Sequence, residues 1–498
     1  MTHSFPEWVR DAVFYQIFPD RFAKSSRVPK PAGLEAWDSP PNLYGFKGGD
    51  LIGVSERLDY LQDLGITAIY LTPVFQSAAN HRYHTHDYMQ VDPILGGNAA
   101  LRRLLDEAHS RSIKVLLDGV FNHASRSFFQ FSHTLENGYY SPFVDWFHFN
   151  KDWLQSGAPL DPYGVVAHQR HGAGGQGSFH TYGYHAWWDL PALPKFNTQH
   201  QEVREFLWQV AEYWIDFGID GWRLDVPNEI DDDEFWREFR RRVKNKNPQA
   251  YLVGEIWSDA HRWLQGDQFD GVMNYIFAKA TLGFFIGENL YHEELRRCGY
   301  NDVHAIGAEE YARRLQDLVK AYPDSITHCQ LNLLGSHDTP RVLTCGRGDH
   351  QAVKLCFLAM LMFPGAPCIY YGDEIGMAGG HDPDCRRSFD WDKNTWNHSV
   401  HSFFRDCIRL RQQYPVMRQG EFRIPYANDG VVVMQRQNSE DTVLAVLNAS
   451  NHPKKITLPS LSKNLFDAFQ SQGSALMPAD GSCEVAARDC RLLVTHQR

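Results

Sequence analysis

The first 297 residues contain no cysteine; all nine cysteines lie at or after Cys298, and no two of them make a CxxC pair. An odd number with no metal-type spacing suits reduced thiols in a cytoplasmic protein better than a disulfide framework. Long hydrophobic runs are missing too. The longest, 355–363, is too short to cross a bilayer and is stopped by Pro364. The N-terminus has no basic start followed by an apolar core, so no secretory leader is expected. Positive charge is in deficit, with 49 Lys and Arg against 60 Asp and Glu, a net charge of −11. That balance argues against nucleic acid and anionic membranes as partners. Short repeats and low-complexity tracts are absent. What remains is an ordinary soluble composition, 43% hydrophobic and 22% charged over 498 residues, enough for two or three domains.

Short β-branched or aromatic runs alternate with amphipathic segments from residue 12 onward. Strands are expected at 12–18, 67–72, 113–118, 219–225, 250–255, 271–275, 327–334 and 367–371. Helical patterns fall between most of them, at 54–64, 99–110, 201–217, 232–244, 308–322 and 350–361. Repeated strand–helix alternation implies parallel strands with right-handed crossovers. Eight such units predict an α/β fold, a TIM (β/α)8 barrel with its active residues at the strands' C-terminal ends. Between the third strand and the helix at 201 lies an excursion too long for a simple loop. After about Pro415 the pattern becomes alternating strands with turns, an all-β sandwich. The expected division is a barrel from 1–123 and 187–415, an inserted subdomain at 124–186, and a β-domain at 416–498.

Four strand-end segments carry polar residues. Asp118-Gly-Val-Phe-Asn122-His123 ends the third strand; Arg223 and Asp225 end the fourth. Gly254-Glu255-Ile256-Trp257 ends the fifth, and Gly335-Ser336-His337-Asp338-Thr339 follows the seventh. Arg223 and Asp225 are two apart on a strand and share a face, which favours the ionised form of Asp225. An isolated Arg-x-Asp is more often a structural ion pair, but four such segments at barrel strand ends point to a site. An ionised carboxylate can attack, and a protonated carboxyl can donate a proton. Asp225 suits the nucleophile. Glu255, with no adjacent cation in sequence and flanked by Ile256 and Trp257, suits the acid/base.

These segments resemble the α-amylase family of retaining glycoside hydrolases. So do Phe46-Lys47-Gly48-Gly49-Asp50-Leu51, Leu193-Pro194-Lys195-Phe196-Asn197 and the run from Gly365 to Glu374. The resemblance covers essentially the whole chain. It is nearest to the cyclomaltodextrinase, neopullulanase and maltogenic amylase group, through Val226-Pro227-Asn228-Glu229, Leu193–Asn197 and Asp382-Pro-Asp-Cys-Arg386-Arg387. It implies hydrolysis of α-1,4 bonds, with α-1,6 left open, in maltooligosaccharides, cyclodextrins or pullulan, with transfer to sugars as a side reaction. By resemblance Asp338 is the third carboxylate, and His123 and His337 bond hydroxyls of the reacting glucose. His81 and Tyr83 face the same ring, Asp382 and Arg386 the non-reducing side, Glu229 and Trp257 the leaving-group side. A trehalose-synthase-like isomerase and a catalytically dead binding relative are the rival readings.

The chain also departs from the group. The first barrel strand begins near residue 12, leaving no room for the β-domain that often precedes it in relatives. His84 stands where relatives usually carry Asp. Relatives bind calcium through Asn and Asp residues after the first strand; here Lys24-Ser25-Ser26 occupies that place, and of the set only Asp50 remains. Hard cations want several oxygens, so no calcium is expected there, and no cofactor elsewhere. His81, His84, His86 and Asp87 lack a standard metal-ligand spacing, as do His381, Asp382 and Asp384. Gly172-Ala-Gly174-Gly-Gln-Gly177 satisfies GxGxxG but follows no strand and opens no helix. The expected partner is an α-glucan oligosaccharide bound by a monomer or homodimer.

Overall fold

Strands buried on both faces show no period of two, so the barrel announces itself in sequence as short apolar runs. In the computed structural model, which describes residues 5–165, 177–458, 465–469 and 481–495, eight such runs pair in parallel. They are β1 Phe14–Ile17, β2 Ala68–Leu71, β3 Lys114–Gly119, β4 Gly221–Leu224, β5 Tyr251–Gly254, β6 Gly271–Asn274, β7 Leu331–Leu333 and β8 Ala366–Tyr370. Each lies beside its sequence neighbour and β1 closes on β8, with Phe14 opposite both Ala68 and Cys368. All eight expected strands are present. The seventh is shorter than expected, because residues 324–327 finish a helical turn before the chain extends.

Amphipathic helices cover the barrel. Gln201–Phe217 buries Val203, Leu207, Val210, Ala211 and Trp214 and stops at Gly218, whose φ of 109° suits a left-handed C-cap. Asp233–Lys246 starts where the Asp232 carboxylate accepts from the Phe235 amide. The helix expected at 54–64 is two, Leu51–Ser55 and Leu58–Leu64. Tyr275–Phe285 is a helix the periodicity did not show, since it is apolar nearly all round. The link between β5 and β6 contains no helix.

The excursion after β3 is tied back by isolated bridges, His123 to Lys195 and Phe147 to Phe196. Phe128, Phe131, Phe147, Phe149, Tyr184 and Phe196 pack between them. After the barrel come β9 Glu421–Asn428, β10 Val431–Gln437, β11 Thr442–Asn448, β12 Lys454–Thr457, β13 Phe466–Asp467, β14 Ser482–Val485 and β15 Asp489–Val494. They form a five-stranded antiparallel sheet, β9-β10-β11-β15-β13, and a two-stranded ladder, β12-β14. Alternate side chains divide the work. Val432, Met434, Val443, Ala445 and Leu447 join the barrel's core, while Val431, Val433, Leu444 and Val446 pack against Ile456, Cys483 and Val485 of the ladder. None of the nine cysteines is in a disulfide. No helix among the described residues is long and apolar enough to cross a membrane.

Candidate active site

Barrel register sets the centre of the site. Asp118 on β3 lies directly opposite Arg223 on β4, and Leu224 opposite Gly254 on β5, so Asp225 and Glu255 leave neighbouring strand ends side by side. The fully buried Arg223 guanidinium holds all three acids. Nη1 donates to Asp118 at 2.7 and 2.9 Å and to Asp225 Oδ1 at 2.9 Å; Nη2 lies 2.8 Å from Glu255 Oε2. One guanidinium therefore touches both carboxyls, which brings Asp225 and Glu255 to the same cation at neighbouring strand ends. The absence of a cation beside Glu255 in sequence is thus misleading: Arg223 supplies one across the strand pair.

Three buried carboxyls around one cation cannot all ionise cheaply. Burial pushes Asp118 up to about 6, against the pull of Arg223 and the hydroxyls of Tyr70 and Tyr83. Burial likewise raises Asp225 well above the usual carboxylate range and raises Glu255, with Arg223 opposing both. Arg223 thus favours the ionised form of Asp225, as its place on the strand implies, while desolvation opposes it in both acids. Their hydrogen bonds differ. Glu255 accepts from Trp257 Nε1 at 2.9 Å and from the Val226 amide at 3.2 Å. Asp225 Oδ2 is buried with no partner among the described residues, an oxygen left free for a reacting atom. Val226 itself has φ 36° and ψ 51°, left-handed backbone that a β-branched residue before proline strongly resists. The strain delivers its N–H to Glu255.

A second cluster comes from β1, the segments after β7 and β8, and the loop after β2. Gln16 Nε2 lies 2.8 Å from His337 Nδ1, and His337 Nε2 lies 2.5 Å from the Tyr83 hydroxyl, which donates to Asp118 Oδ2 at 2.8 Å. An amide donating to Nδ1 leaves the proton on Nε2. Burial holds His337 well below its usual pKa, so this ring is neutral. Arg386 donates to the His337 carbonyl at 2.8 Å and pairs with Asp338 at 3.2 Å and Asp382 at 2.9 Å. Asp338 also lies 3.3 Å from His337 Nε2 and keeps about 30% of its side chain exposed. Tyr83 therefore joins both clusters.

The remaining expected residues border these. His81 accepts from the Tyr83 amide through Nδ1 and packs edge-on against His84. Burial and the neighbouring His84 lower His81 far below its ordinary value; burial takes His84 to about 4 and His123 to about 3. His123 Nε2 is buried without a partner among the described residues, and the ring stacks on Trp187 at 4.9 Å. Trp257 stacks on Tyr275 at 4.2 Å, which fixes its N–H on Glu255. Glu229 stands apart, half exposed, 3.9 Å from Lys195. Sequence reasoning assigned no role to Gln16, Tyr70 or Trp187. Gln16 lies on β1 and Tyr70 on β2, while Trp187 lies in the excursion.

The Asp50 position does not fit a divalent cation. Its carboxylate already accepts from the Gly53 and Ser25 amides and lies 2.9 Å from Lys30 Nζ, which also donates to the Ile94 carbonyl at 2.7 Å. An ammonium fills the place a metal would need. His381 and Asp384 are engaged by Glu294 and Arg387. No group of three or more His, Cys, Asp or Glu among the described residues could hold a metal ion. Apart from Gly177, the GxGxxG segment lies outside the described residues.

Comparison with known proteins adds the family. Residues 16–420 match the model of the alpha amylase catalytic domain. A cyclomaltodextrinase of Geobacillus thermopakistaniensis is 44% identical over 91% of this chain and 71% of its own length. Neopullulanase 2 of Thermoactinomyces vulgaris is 43% identical over 85% of this chain and 66% of its own. The native debranching enzyme of Nostoc punctiforme superposes with a TM-score of 0.87 at 46% identity, covering 99% of this chain and 100% of that one.

Proposed function

Because the chain belongs to the α-amylase family, we propose that it is a retaining α-glucan hydrolase. It cuts α-1,4 bonds, and α-1,6 bonds as a second target, in maltooligosaccharides, cyclodextrins or pullulan, with transfer to sugar acceptors as a side reaction. The observation that carries this reading is Arg223 holding Asp225 and Glu255 together, with Asp225 Oδ2 uncommitted. Retention needs such a pair about 5–5.5 Å apart. Asp225 Oδ2 attacks the anomeric carbon while the Glu255 carboxyl passes its proton to the departing glycosidic oxygen, leaving a glycosyl ester on Asp225. Glu255, now a carboxylate, takes a proton from water as that water attacks the same carbon and frees Asp225. The sugar's leaving oxygen meets Glu255, which therefore must carry the proton at the moment of reaction.

Asp338, tethered by Arg386 and part exposed, would hold hydroxyls of the distorted ring, with His123, His337, His81 and Tyr83 around it. Neutral His123 and His337 suit hydrogen bonding to hydroxyls at working pH. The composition supports a cytoplasmic enzyme. The experiment is a product profile from maltoheptaose, pullulan and β-cyclodextrin side by side, with the anomer released followed by NMR. Products of the α-anomer from these substrates support the reading. Rearranged disaccharide without glucose release would favour an isomerase, and β-anomer would exclude retention.

A further inference from the structure

We propose that the end of the barrel opposite the catalytic centre binds a small inorganic anion of the halide class, held by Arg436 with Arg411 beside it where the barrel meets the C-terminal sheet. The inference does not depend on the hydrolase reading. Alternate residues of β10 face the barrel: Val432 and Met434 join its core, and Arg436, next in that series, is fully buried. A guanidinium thus occupies a position where the pattern calls for an apolar side chain. Six guanidiniums among the described residues are fully buried. Four have a carboxylate on them: Arg21 lies 2.7 Å from Asp20, Arg82 3.0 Å from Asp92, Arg223 2.7 Å from Asp118 and Arg341 2.9 Å from Asp373. Arg411 and Arg436 pair with no carboxylate among the described residues. Burying an ion without a partner is costly, so these two positions need an explanation.

Backbone carbonyls account for one of them. Arg411 donates to the carbonyls of Leu361, Met417, Arg10 and Gly365 at 2.9–3.2 Å. Arg436 reaches only the Met362 carbonyl, 3.4 Å from Nη1. Its Nε and Nη2, and Nε of Arg411, are buried without a partner among the described residues. Leu361 and Met362 are the last two residues of the helix His350–Met362, so both guanidiniums meet the same helix end. A helix C-terminus favours a cation, but here two share one.

More positive charge gathers at the same place. Arg418 Nη1 donates to the Arg411 carbonyl at 3.1 Å, and the Arg10 carbonyl accepts from Arg411. Asp11 is already engaged there, 3.0 Å from Arg418 and 3.8 Å from Arg10. Burial, with Arg436 and Arg418 adding to it, pushes Arg411 down to about 9, and burial with Arg10 takes Arg436 to about 9. Both are still charged at neutral pH. Guanidinium N–H groups donate and never accept, so what completes them is an acceptor carrying negative charge. The unpartnered nitrogens are sealed from solvent, which restricts the occupant to a small ion. Arg10 and Gly365 lie just before β1 and β8, at the strands' N-terminal ends, the face of a barrel that serves stability rather than chemistry. The anion therefore acts as a clamp between the barrel and the C-terminal sheet.

The test melts the full-length protein, wild type and R436M, in sodium gluconate and in sodium chloride at one ionic strength. Replacing about 200 mM gluconate, too large for the site, by chloride should raise the wild-type Tm by about 1–3 °C along a saturable curve. R436M should lose that dependence, and in gluconate it should melt no lower than wild type, because an apolar side chain replaces an unpaired buried charge. A second measurement needs no variant: wild-type crystals soaked in sodium bromide should show an anomalous peak against Arg436 Nε or Nη2. A wild-type Tm no higher in chloride than in gluconate, with no bromide at Arg436, overturns the proposal. So does an R436M protein that keeps the wild-type response to chloride.

Discussion

Replacing Arg223 with methionine removes the guanidinium that touches three buried acids and leaves the strand pairing intact. Four contacts of 2.7–2.9 Å disappear. Removing one partner of a buried ion pair costs about 3–5 kcal/mol. An independent route gives a similar figure. If the cluster responds by protonating one more Asp, moving it from an unfolded pKa of about 3.9 to neutrality at pH 7 costs about 4 kcal/mol. The sign with pH follows. A carboxyl whose folded pKa is raised above its unfolded one binds more protons in the native state, so stability falls as pH rises. Burial already raises Asp118, Asp225 and Glu255, and R223M raises them further. The deficit relative to wild type should therefore widen from pH 5 to pH 7, approaching about 1.4 kcal/mol per unit for each additional proton held. Urea unfolding of both proteins at pH 5, 6 and 7 measures it. In residual activity, both limbs of the kcat/KM profile should move to higher pH, because Arg223 lowers both acids. A small, pH-independent deficit with an unmoved profile would refute the view that Arg223 balances the acids' charge.

Further outcomes follow from particular contacts. E255Q should lose about 10²- to 10⁴-fold in kcat on maltoheptaose and far less on α-maltosyl fluoride, whose leaving group needs no proton; equal losses would remove the acid role. K30M should leave Asp50 buried without its cation and destabilise the protein by up to about 3 kcal/mol, read as a lower urea midpoint. Wild-type melting should be the same with calcium or with a chelator, and a calcium-dependent rise in wild-type Tm would contradict the ammonium's role. V226G should relieve about 1–3 kcal/mol of backbone strain, so the variant should unfold no more easily than wild type while kcat falls as Glu255 loses its rigid amide. Unchanged kcat would separate the strain from catalysis.

Much of the fold was legible because each barrel strand is a short apolar run and most helices keep a polar face. It failed where those signals mislead. Residues 327–330 look like strand but close a helical turn, and Tyr275–Phe285 is buried nearly all round and shows no stripe. Of the site, the acids were legible because they stand at strand ends in an order that resembles a known family. Tyr70 and Gln16 were not, since a tyrosine or glutamine in a strand looks like core or surface until its partner is known.

The sequence by itself determined the barrel, the order of the strands and which side chains leave their C-terminal ends, because hydrophobic periodicity and strand geometry are local. Only the tertiary structure decided what those side chains meet. Register between β3, β4 and β5 gave Glu255 the cation that its own neighbours in the chain do not supply. Burial, a property of the whole fold, set a desolvation cost on Asp225 against the pull of Arg223. Electrostatics depends on distance through space and on exclusion of water, and neither is written at any single position.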